Sequence, residues 1–307
     1  MGFLDISDRI GYPPKLRDDL KAIDSVLSGN ARNPEYYRFV DANNTGSGNG
    51  KTWDTAFATI TEGITELNTL SGKGATLWIA PGFYIEVAGI TLSANDCALI
   101  GAGLPEDTVL FGSGTAGSVS AATDHLITVT GGNNYFSGLT FYVHKDDKAC
   151  FFLNSSGGYT GSFNIWDTCY FSPQAQDGMG YCIWNDGGSA NIIRNSLFEG
   201  SKVAAINFDE SGSNNPTRNT IINNIIRGTK LGIRIDCSAR NTLIKDNIFI
   251  DGDLSNEELD DALNCTAEFV TGTIILAKNY LNFANVGAAV TNAGTGTVTE
   301  IGNTYNT

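Results

Sequence analysis

Aspartate residues close three short, strand-like blocks in the second half of the sequence. They are Asp186, Asp209 and Asp236, and each stands fifth in a five-residue block. If the blocks stack as neighbouring parallel strands, adjacent carboxylates lie about 5 Å apart and alternate ones about 10 Å apart. These separations bracket the carboxylate pairs of retaining and inverting glycosidases. The three aspartates are therefore candidate catalytic residues for cleaving a polysaccharide.

The third position of these blocks, and of a similar block before them, carries side chains suited to holding a sugar ring. It is occupied in turn by Phe152, Trp184, Asn207 and Arg234, with Glu210 beside the second aspartate. Third and fifth residues share a face because side chains alternate along a strand. An aromatic ring stacks on the apolar face of a sugar while polar neighbours bind its hydroxyl groups. We therefore expect these five residues to bind carbohydrate.

Turn capping gives the same column of acids a purely structural explanation. Asp and Asn frequently end strands because their side chains accept hydrogen bonds from the turn that follows. The rings of Phe152 and Trp184 could also be buried between subunits. Capping or a subunit interface, glycan binding and catalysis are therefore all open, and we favour a binding protein over an enzyme.

The blocks belong to an internal repeat that fills the body of the chain. Their second position is apolar in six successive blocks: Ile127, Phe151, Ile183, Ile206, Ile233 and Leu263. A second block follows each one and ends in an apolar residue: Phe141, Phe171, Phe198, Ile226, Phe249, Leu281 and Tyr305. These ends recur every 23 to 32 residues, which suits one turn of a solenoid with loops of varying length.

An asparagine precedes the end of several second blocks by two residues. The four positions are Asn224, Asn247, Asn279 and Asn303. Stacked at the strand spacing of about 4.8 Å, their amides can hydrogen-bond along the stack. This ladder and the apolar columns together predict an all-β chain, folded as a single-stranded right-handed parallel β-helix.

Residues 41–60, which contain Trp53 and the pair Ala56-Phe57, resemble the N-terminal segment of pectate-lyase-like parallel β-helix proteins. In that superfamily a Trp and an Ala-Phe helix close the open end of the solenoid. Three further segments are similar to its first coils: Trp78–Tyr84, Ile90–Leu92 and Leu99–Gly103. The resemblance covers about residues 38–307 and implies the fold. It does not fix an activity, because lyases, hydrolases, binding proteins and phage spikes share it.

The segment before the solenoid predicts a capping helix. Its apolar residues Phe57, Ile60, Ile64 and Leu67 fall on one helical face, and Thr52 or Asp54 could cap the helix start. Such a helix would cover the unpaired first coil. We therefore divide the chain into an N-terminal segment (1–40), a capping segment with this helix (41–72) and the β-helix (73–307).

The N-terminal segment looks like a separate module. Residues 1–40 hold six basic and six acidic residues, whereas the rest of the chain carries the entire net charge of -14. Four apolar residues form a helical stripe: Leu16, Leu20, Ile23 and Leu27. So short a helix is marginal alone and needs a partner surface. Docking onto another chain and packing on the chain's own β-helix are equally open.

A parallel β-helix that follows such a segment, in a chain without a recognisable signal peptide, resembles the virion proteins of bacteriophages. This resemblance implies a tail spike, tail fibre or capsid decoration that is part of the virion and attaches to polysaccharide on the host surface. It further implies a homotrimer, held to other virion proteins through residues 1–40. The main alternative is a polysaccharide depolymerase, a hydrolase or lyase that uses the stacked carboxylates. A third is a β-helix protein of the bacterial cell surface, exported by a route that the sequence does not show.

Motifs of the enzymes in this superfamily are missing from the sequence. There is no Gly-His-Gly, and neither His125 nor His144 lies in such a context. The superfamily's polysaccharide lyases typically pair a basic residue with a Ca²⁺ site. Here the basic residues near the acids are Arg234, Lys202 and Lys230, the two lysines lying in predicted turns. These features do not favour a lyase.

The acidic stretch 251–262 begins like a calcium-binding EF-hand loop but departs from it at two required positions. Asn256 stands where the loop needs Gly, and Ala262 where it needs a bidentate Glu. Ser255 and Glu258 fit better as a capping box that opens a short helix. We predict neither a metal nor another cofactor.

Composition excludes two classes of partner. A net charge of -14 opposes binding to nucleic acid, which needs clustered Lys and Arg. No apolar run approaches the length of a membrane span, so we expect no membrane insertion. The six cysteines show no CxxC spacing, and we interpret them as reduced core residues.

Overall fold

A computed structural model of the chain describes residues 34–45, 48–115, 120–145, 147–154, 160–171, 180–210, 215–250, 260–282 and 290–306. The first nine strands are β1 (Tyr37–Val40), β2 (Thr76–Ile79), β3 (Gly82–Val87), β4 (Ile90–Leu92), β5 (Ala98–Gly101), β6 (Thr108–Ser113), β7 (Ile127–Val129), β8 (Tyr135–Ser137) and β9 (Thr140–Val143). The next nine are β10 (Ala149–Asn154), β11 (Ile165–Asp167), β12 (Tyr170–Phe171), β13 (Tyr181–Asp186), β14 (Ile192–Arg194), β15 (Leu197–Glu199), β16 (Ala204–Asp209), β17 (Thr220–Ile222) and β18 (Ile225–Arg227). The last nine are β19 (Leu231–Ile235), β20 (Thr242–Lys245), β21 (Ile248–Ile250), β22 (Asp261–Cys265), β23 (Thr273–Ala277), β24 (Tyr280–Asn282), β25 (Val290–Asn292), β26 (Thr297–Ile301) and β27 (Thr304–Asn306).

Helices are few in the described ranges. One α-helix, α1, spans Ile60–Thr69, and short 3₁₀ helices span Pro34–Tyr36, Trp53–Thr55 and Pro105–Asp107. In the described part of the chain, no helix has the length and apolar character needed to cross a membrane.

Successive strands enter three different sheets in turn, so one coil consists of one strand from each sheet. Sheet 1 has the order β1-β2-β5-β8-β11-β14-β17-β20-β23-β26, sheet 2 the order β3-β6-β9-β12-β15-β18-β21-β24-β27, and sheet 3 the order β4-β7-β10-β13-β16-β19-β22-β25. Neighbouring strands are parallel in all three sheets. This topology is the predicted single-stranded parallel β-helix.

The apolar columns predicted from the repeat lie in register. On sheet 3 the column runs Ile127, Phe151, Ile183, Ile206, Ile233 and Leu263. On sheet 2 it runs Phe141, Phe171, Phe198, Ile226, Phe249, Leu281 and Tyr305. Every member except Tyr305 is fully buried. Burial of these side chains is the main stabilising contribution to the solenoid.

Phenylalanine rings on sheet 2 stack from coil to coil inside the solenoid. The ring centroids of Phe141 and Phe171 are 5.6 Å apart, and those of Phe171 and Phe198 are 4.6 Å apart with planes only 6° from parallel. Phe151 of sheet 3 meets Phe141 edge to face at 4.7 Å. Such pairs add to the free energy gained from area burial alone.

The predicted asparagine ladder is present at the turn from sheet 1 to sheet 2. Asn247 Oδ1 accepts hydrogen bonds from the backbone N–H of Asn224 at 2.9 Å and from its side-chain amide at 3.0 Å. Asn279 repeats this arrangement toward Asn247, and Asn303 repeats it toward Asn279. The ladder satisfies buried backbone groups that the tight turn leaves without strand partners.

A second asparagine ladder, which we did not predict, occupies the turn from sheet 3 to sheet 1. Its members are Asn134, Asn164, Asn191 and Asn219. The side-chain oxygen of each accepts a hydrogen bond from a backbone N–H one coil earlier, at 2.8 to 3.0 Å. Both turns therefore depend on the same cross-coil hydrogen bond.

Left-handed backbone precedes the ladder positions. Three residues that directly precede members of the first ladder, Asn223, Asp246 and Lys278, have φ of 53° to 56°. Those before the second, Asn133, Phe163, Ala190 and Arg218, have φ of 56° to 61°. Asn and Asp tolerate this conformation better than most residues. The high asparagine content thus has two causes, the ladders and the turns that lead into them.

The helix α1 covers the first coil, as predicted, and packs against β1 to β4. Its own residues Ile60, Ile64 and Leu67 are buried. The predicted caps are wrong. Thr59 caps α1 in a capping box with Glu62, whereas Thr52 caps the 3₁₀ helix Trp53–Thr55.

The helix starts later than predicted because Phe57 is engaged elsewhere. Phe57 forms an isolated bridge with Val40, and α1 begins three residues after it. Val40 belongs to β1, the first strand of sheet 1, so the structure assigns Tyr37–Val40 to the solenoid rather than to the N-terminal segment. Residues 1–33, with the predicted docking residues Leu16, Leu20, Ile23 and Leu27, lie outside the described residues, as does the stretch 251–259.

Candidate functional site

The outer face of sheet 3 carries the predicted binding column. Phe152 pairs with Trp184, Trp184 with Asn207, and Asn207 with Arg234 on successive coils. Their in-strand neighbours point inward to the core, because Ile183, Ile206 and Ile233 are fully buried. The structure therefore brings the four predicted side chains into one line on one face.

A cluster of rings occupies the N-terminal half of this face. Phe152 stacks on His125 at 4.5 Å, and Trp184 meets the rings of both Phe152 and His125 at 5.6 Å. Tyr181 lies 4.9 Å from Trp184. We call His125, Phe152, Tyr181 and Trp184 the ring platform. Phe152 and Trp184 are partly exposed and present aromatic surface of the kind that stacks on a sugar, whereas His125 and Tyr181 are buried.

Two members of the ring platform were missed in the sequence. His125 and Tyr181 each stand directly before a five-residue block, one position outside the repeat as we aligned it. Strict alternation would turn that position inward, so the pattern gave no signal for it. The alternation breaks there because the first residues of the blocks, Leu126 and Cys182, enter the core together with the second ones. Tyr181 packs outside the main core with Ala149 and Ala204.

His125 is held neutral in this cluster. Its Nδ1 accepts a hydrogen bond from the backbone N–H of Ala149 at 2.9 Å, so this atom cannot also carry a proton. Burial and, to a smaller extent, the nearby Lys148 ammonium together lower the pKa of His125 to about 4, against the opposing charges of Asp124 and Asp147. Protonation would remove the acceptor and place a charge between aromatic rings.

Acid is therefore expected to destabilise the fold through His125. Its pKa in the unfolded chain is near 6.5, so the unfolded state takes up a proton first as the pH falls. The contribution is complete above pH 6.5 and is lost as the pH falls toward 4. Between pH 7 and 4.5 we expect roughly 2 kcal/mol of unfolding free energy to depend on this residue. Urea unfolding of the wild type and His125→Phe at both pH values measures the difference.

His144→Phe serves as the control for that measurement, because it removes the other histidine of the chain. Its loss of stability between the two pH values should match that of the wild type. An equal loss in His125→Phe and the wild type would contradict the assignment.

Asn207 differs from the prediction in its exposure. It lies in the predicted column but is 0% exposed, so it does not present its amide at the surface. The physical reason is the size of its neighbours, since Trp184 and Arg234 flank it on the adjacent strands. Sequence spacing gives the face on which a side chain lies but not the cover provided by neighbouring coils.

The predicted carboxylates follow the ends of the sheet 3 strands. Asp186 pairs with Asn154 and with Asp209, and Asp236 comes directly after β19. Asp236 is held on both sides: one oxygen forms an ion pair with Arg234 at 2.6 Å, and the other accepts from Thr266 Oγ1 at 2.6 Å. Such contacts suit a side chain that fixes the end of its strand, which agrees with turn capping as the explanation of the aspartate column.

Asp209 is less constrained. Its Oδ1 accepts a hydrogen bond from the backbone N–H of Glu210 at 2.8 Å, which is a turn contact, and no partner for its Oδ2 lies among the described residues. Of the predicted acids, Asp209 therefore has a carboxylate oxygen available to a ligand.

A cleft of about 430 Å³ opens beside these acids. Four carboxylates line it, those of Asp209, Glu210, Asp236 and Glu268. Asn215, Cys237, Ser238 and Val270 complete the wall. The structure thus brings Asp209, Glu210 and Asp236 together, whereas Asp186 lies outside the cleft lining.

Arg234 links the cleft to the ring platform. Its ion pair with Asp236 faces the cleft, while its charge also acts on Tyr181. Burial raises the pKa of Tyr181, and the Arg234 guanidinium opposes that rise. Platform and cleft therefore form one continuous surface across sheet 3, with Arg234 between them.

The described residues offer no metal site. Among them, no group of three or more His, Cys, Asp or Glu side chains is arranged to hold an ion. All six cysteines are buried and none forms a disulfide within these residues. Burial raises the pKa of Cys150, Cys182 and Cys237, which opposes reactivity as thiolates.

No protein-family model matches the sequence, and no curated protein matches it significantly. Solved structures share the fold. A rhamnogalacturonan lyase is 13% identical over 80% of this chain and 68% of its own, with a TM-score of 0.50. An alginate lyase from Paenibacillus sp. is 16% identical over 79% of this chain and 93% of its own, with a TM-score of 0.54.

The catalytic unit of an α-1,3-glucanase from Streptomyces thermodiastaticus has a TM-score of 0.56, with 15% identity over 80% of this chain and 44% of its own. At these identities the likeness concerns the fold alone. That fold is a right-handed parallel β-helix, as the sequence predicted.

Proposed function

We propose that this chain is a carbohydrate-binding β-helix of a phage virion appendage, which holds an uncharged polysaccharide of the host surface on sheet 3. The observation that carries the binding role is the continuous surface of ring platform, Arg234 and cleft. It combines stacking rings with acceptors for hydroxyl groups, which is the chemistry of a sugar site.

The dimensions of this surface suit an extended oligosaccharide. From His125, two residues before β7, to Arg234 on β19 is four coil steps, or about 19 Å at the spacing of parallel strands. A chain of several sugar rings laid along the helix axis would reach from the rings to the carboxylates.

The charge of the cleft supports an uncharged ligand. Four carboxylates line it, and the nearest cation, Arg234, is already paired with Asp236. A polyuronate such as alginate would meet like charges here and be repelled. We therefore place the ligand among neutral polysaccharides, although two of the similar structures are lyases named for rhamnogalacturonan and alginate.

The place of the protein in a virion rests on the sequence resemblance. Attachment to the particle through residues 1–40, assembly as a homotrimer and a tail-spike or capsid-decoration role are parts of this proposal. Polysaccharide binding is the part that the described surface supports directly.

Trp184→Ala tests the binding role. It removes the central ring of the platform and is expected to weaken binding of a neutral polysaccharide at least about tenfold. The probes are α-1,3-glucan oligosaccharides, a panel of neutral bacterial capsular polysaccharides and, as the anionic member, alginate. Calorimetry or affinity electrophoresis measures the affinity.

Trp53→Ala is the matched control, because Trp53 is 43% exposed on the 3₁₀ helix before α1 and far along the chain from the platform. It should bind like the wild type. Binding of alginate in preference to every neutral probe would contradict the charge argument. Failure of the wild type to bind any probe would contradict the proposed function.

A depolymerase is the second candidate, favoured by Asp209 and Asp236 on adjacent coils of the same cleft. The strand spacing of about 4.8 Å is near the separation of about 5 to 5.5 Å in retaining glycosidases. Release of reducing ends from the bound probe by the wild type, abolished in Asp209→Asn, would establish the enzyme. Binding without release supports the appendage.

A further inference from the structure

Three polar atoms on the outer face of sheet 3 are buried without a hydrogen-bond partner in the part of the chain that the structure describes. They are Nε1 of Trp184 and both side-chain polar atoms of Asn207, Nδ2 and Oδ1. The two residues pair directly across neighbouring strands β13 and β16. Asn207 is 0% exposed. Buried polar groups in native proteins are nearly always hydrogen-bonded, so this cluster needs an explanation.

Asn207 is an exception among the buried asparagines of the described residues. The other eight all use their amides in hydrogen bonds: Asn134, Asn164, Asn185, Asn191, Asn219, Asn224, Asn247 and Asn279. Asn185, on the strand next to Asn207, donates to Gly188 O at 2.9 Å and accepts from Gly188 N at 2.6 Å. Elsewhere the fold thus supplies a partner for an asparagine that it buries.

The unpaired amide does not face the apolar interior. Ile206 and Phe208, on either side of Asn207 in β16, are the residues that enter the core. Asn207 therefore lies on the outer face, between the indole of Trp184 and the side chain of Arg234. This is the junction of the ring platform and the cleft.

We propose that Asn207 is the specificity-determining residue of the glycan site. A sugar turns the Trp184 indole outward and places two adjacent hydroxyl groups against the Asn207 amide. An amide offers one acceptor and one donor side by side, which complements a vicinal diol, and the freed indole N–H adds a second donor. The inference rests on the proposed function and refines it to an uncharged sugar with neighbouring free hydroxyls.

The proposal predicts opposite effects of one substitution on stability and on binding. Asn207→Leu keeps the volume and removes two unpaired polar atoms, so we expect the melting temperature to rise by about 2 to 4 °C. The affinity for the neutral oligosaccharide bound by the wild type should fall at least about tenfold, because its hydroxyls lose their partners. Thermal unfolding and calorimetry on the full chain give the two numbers.

Asn185→Leu is the matched control. It makes the same chemical change at a buried asparagine on the adjacent strand, but there the amide is hydrogen-bonded. Its melting temperature should fall. If the melting temperature rises for Asn207→Leu and falls for Asn185→Leu, the rise is due to the unpaired amide and not to a stabilising effect of leucine at any buried position.

Tryptophan fluorescence tests the displacement of the indole. Binding should shift the emission wavelength of the wild type as the surroundings of the Trp184 indole change, and Trp184→Phe should show no shift. Unchanged emission on binding would overturn this step.

The outcomes separate the inference from the proposed function. Wild-type binding that Asn207→Leu leaves unchanged would overturn the inference alone. A lower melting temperature for Asn207→Leu would do the same, since it would mean that the amide has a partner. A wild type that binds no probe contradicts the proposed function and the inference together.

Discussion

Replacing Asn247 with alanine is expected to lower the free energy of unfolding by about 3 to 5 kcal/mol. Asn247 lies in the middle of the first ladder and is 1% exposed. Its side-chain oxygen accepts two hydrogen bonds from Asn224, and its amide donates to Ile221 O at 3.0 Å and to Asn279 Oδ1 at 3.0 Å.

The size of the effect follows from what alanine leaves behind. The backbone N–H of Asn224 and the carbonyl of Ile221 stay buried after the substitution but lose their partners. Each unpaired buried group costs about 1 to 3 kcal/mol, in addition to the lost bonds themselves. The substitution also weakens the neighbouring coils, since the ladder joins several coils at one turn.

Guanidinium unfolding monitored by circular dichroism measures this loss as a shift of the midpoint. Asn306→Ala is the matched control, since Asn306 is exposed on β27 and its side chain makes one hydrogen bond, to Asn282. It should change stability by less than about 0.5 kcal/mol. Similar losses for the two variants would show that the ladder does not stabilise the turn.

The second large effect is expected at Phe198. Phe198→Ala should also cost about 3 to 5 kcal/mol, because it opens a cavity in the middle of the solenoid. Phe198 is fully buried, stacks on Phe171 at 4.6 Å and pairs with Ile226 on the next coil. Coils above and below are held in register by their own hydrogen bonds and cannot collapse into the space.

Phe163→Ala makes the same chemical change where the ring is 52% exposed, in the turn before β11. Its effect should stay below about 0.5 kcal/mol. Phe163 has a left-handed backbone with φ of 61°, and alanine, like phenylalanine, carries a Cβ, so the backbone strain at this position stays about the same. Thermal and guanidinium unfolding of the pair measure the difference. If Phe198→Ala were as mild as this control, the stacked rings would contribute little to the core.

The sequence repeat predicted two of the three sheets residue by residue, and the reason is physical. Strands of sheets 2 and 3 bury one residue per coil at a fixed place, as at Phe171 and Ile183, so their columns are strictly apolar. Sheet 1 was not recognised. Its inward column is apolar as well, as at Trp166 and Ile193. The loop that leads into each of its strands from sheet 3 varies in length, so this column keeps no fixed distance from the sheet 3 blocks.

The candidate site was predictable in position but not in detail. Register alone brought Trp184, Asn207 and Arg234 into one column. The burial of Asn207 depends on the size of side chains on two other coils. The hydrogen bond to Asp236 comes from Thr266, thirty residues later in the chain, and no local sequence pattern predicts it.

The alternation of side chains on sheet 3 has a consequence for how this protein could change its ligand. Inward residues such as Ile183 and Ile206 maintain the stack, while their neighbours Trp184 and Asn207 face outward on the same strands. Each coil hydrogen-bonds only to the coils before and after it. Outward side chains can therefore be exchanged one coil at a time without altering the core or the register. Under the proposed function, a lineage of such proteins would adapt to a changed polysaccharide by substituting single outward residues while the scaffold stays the same.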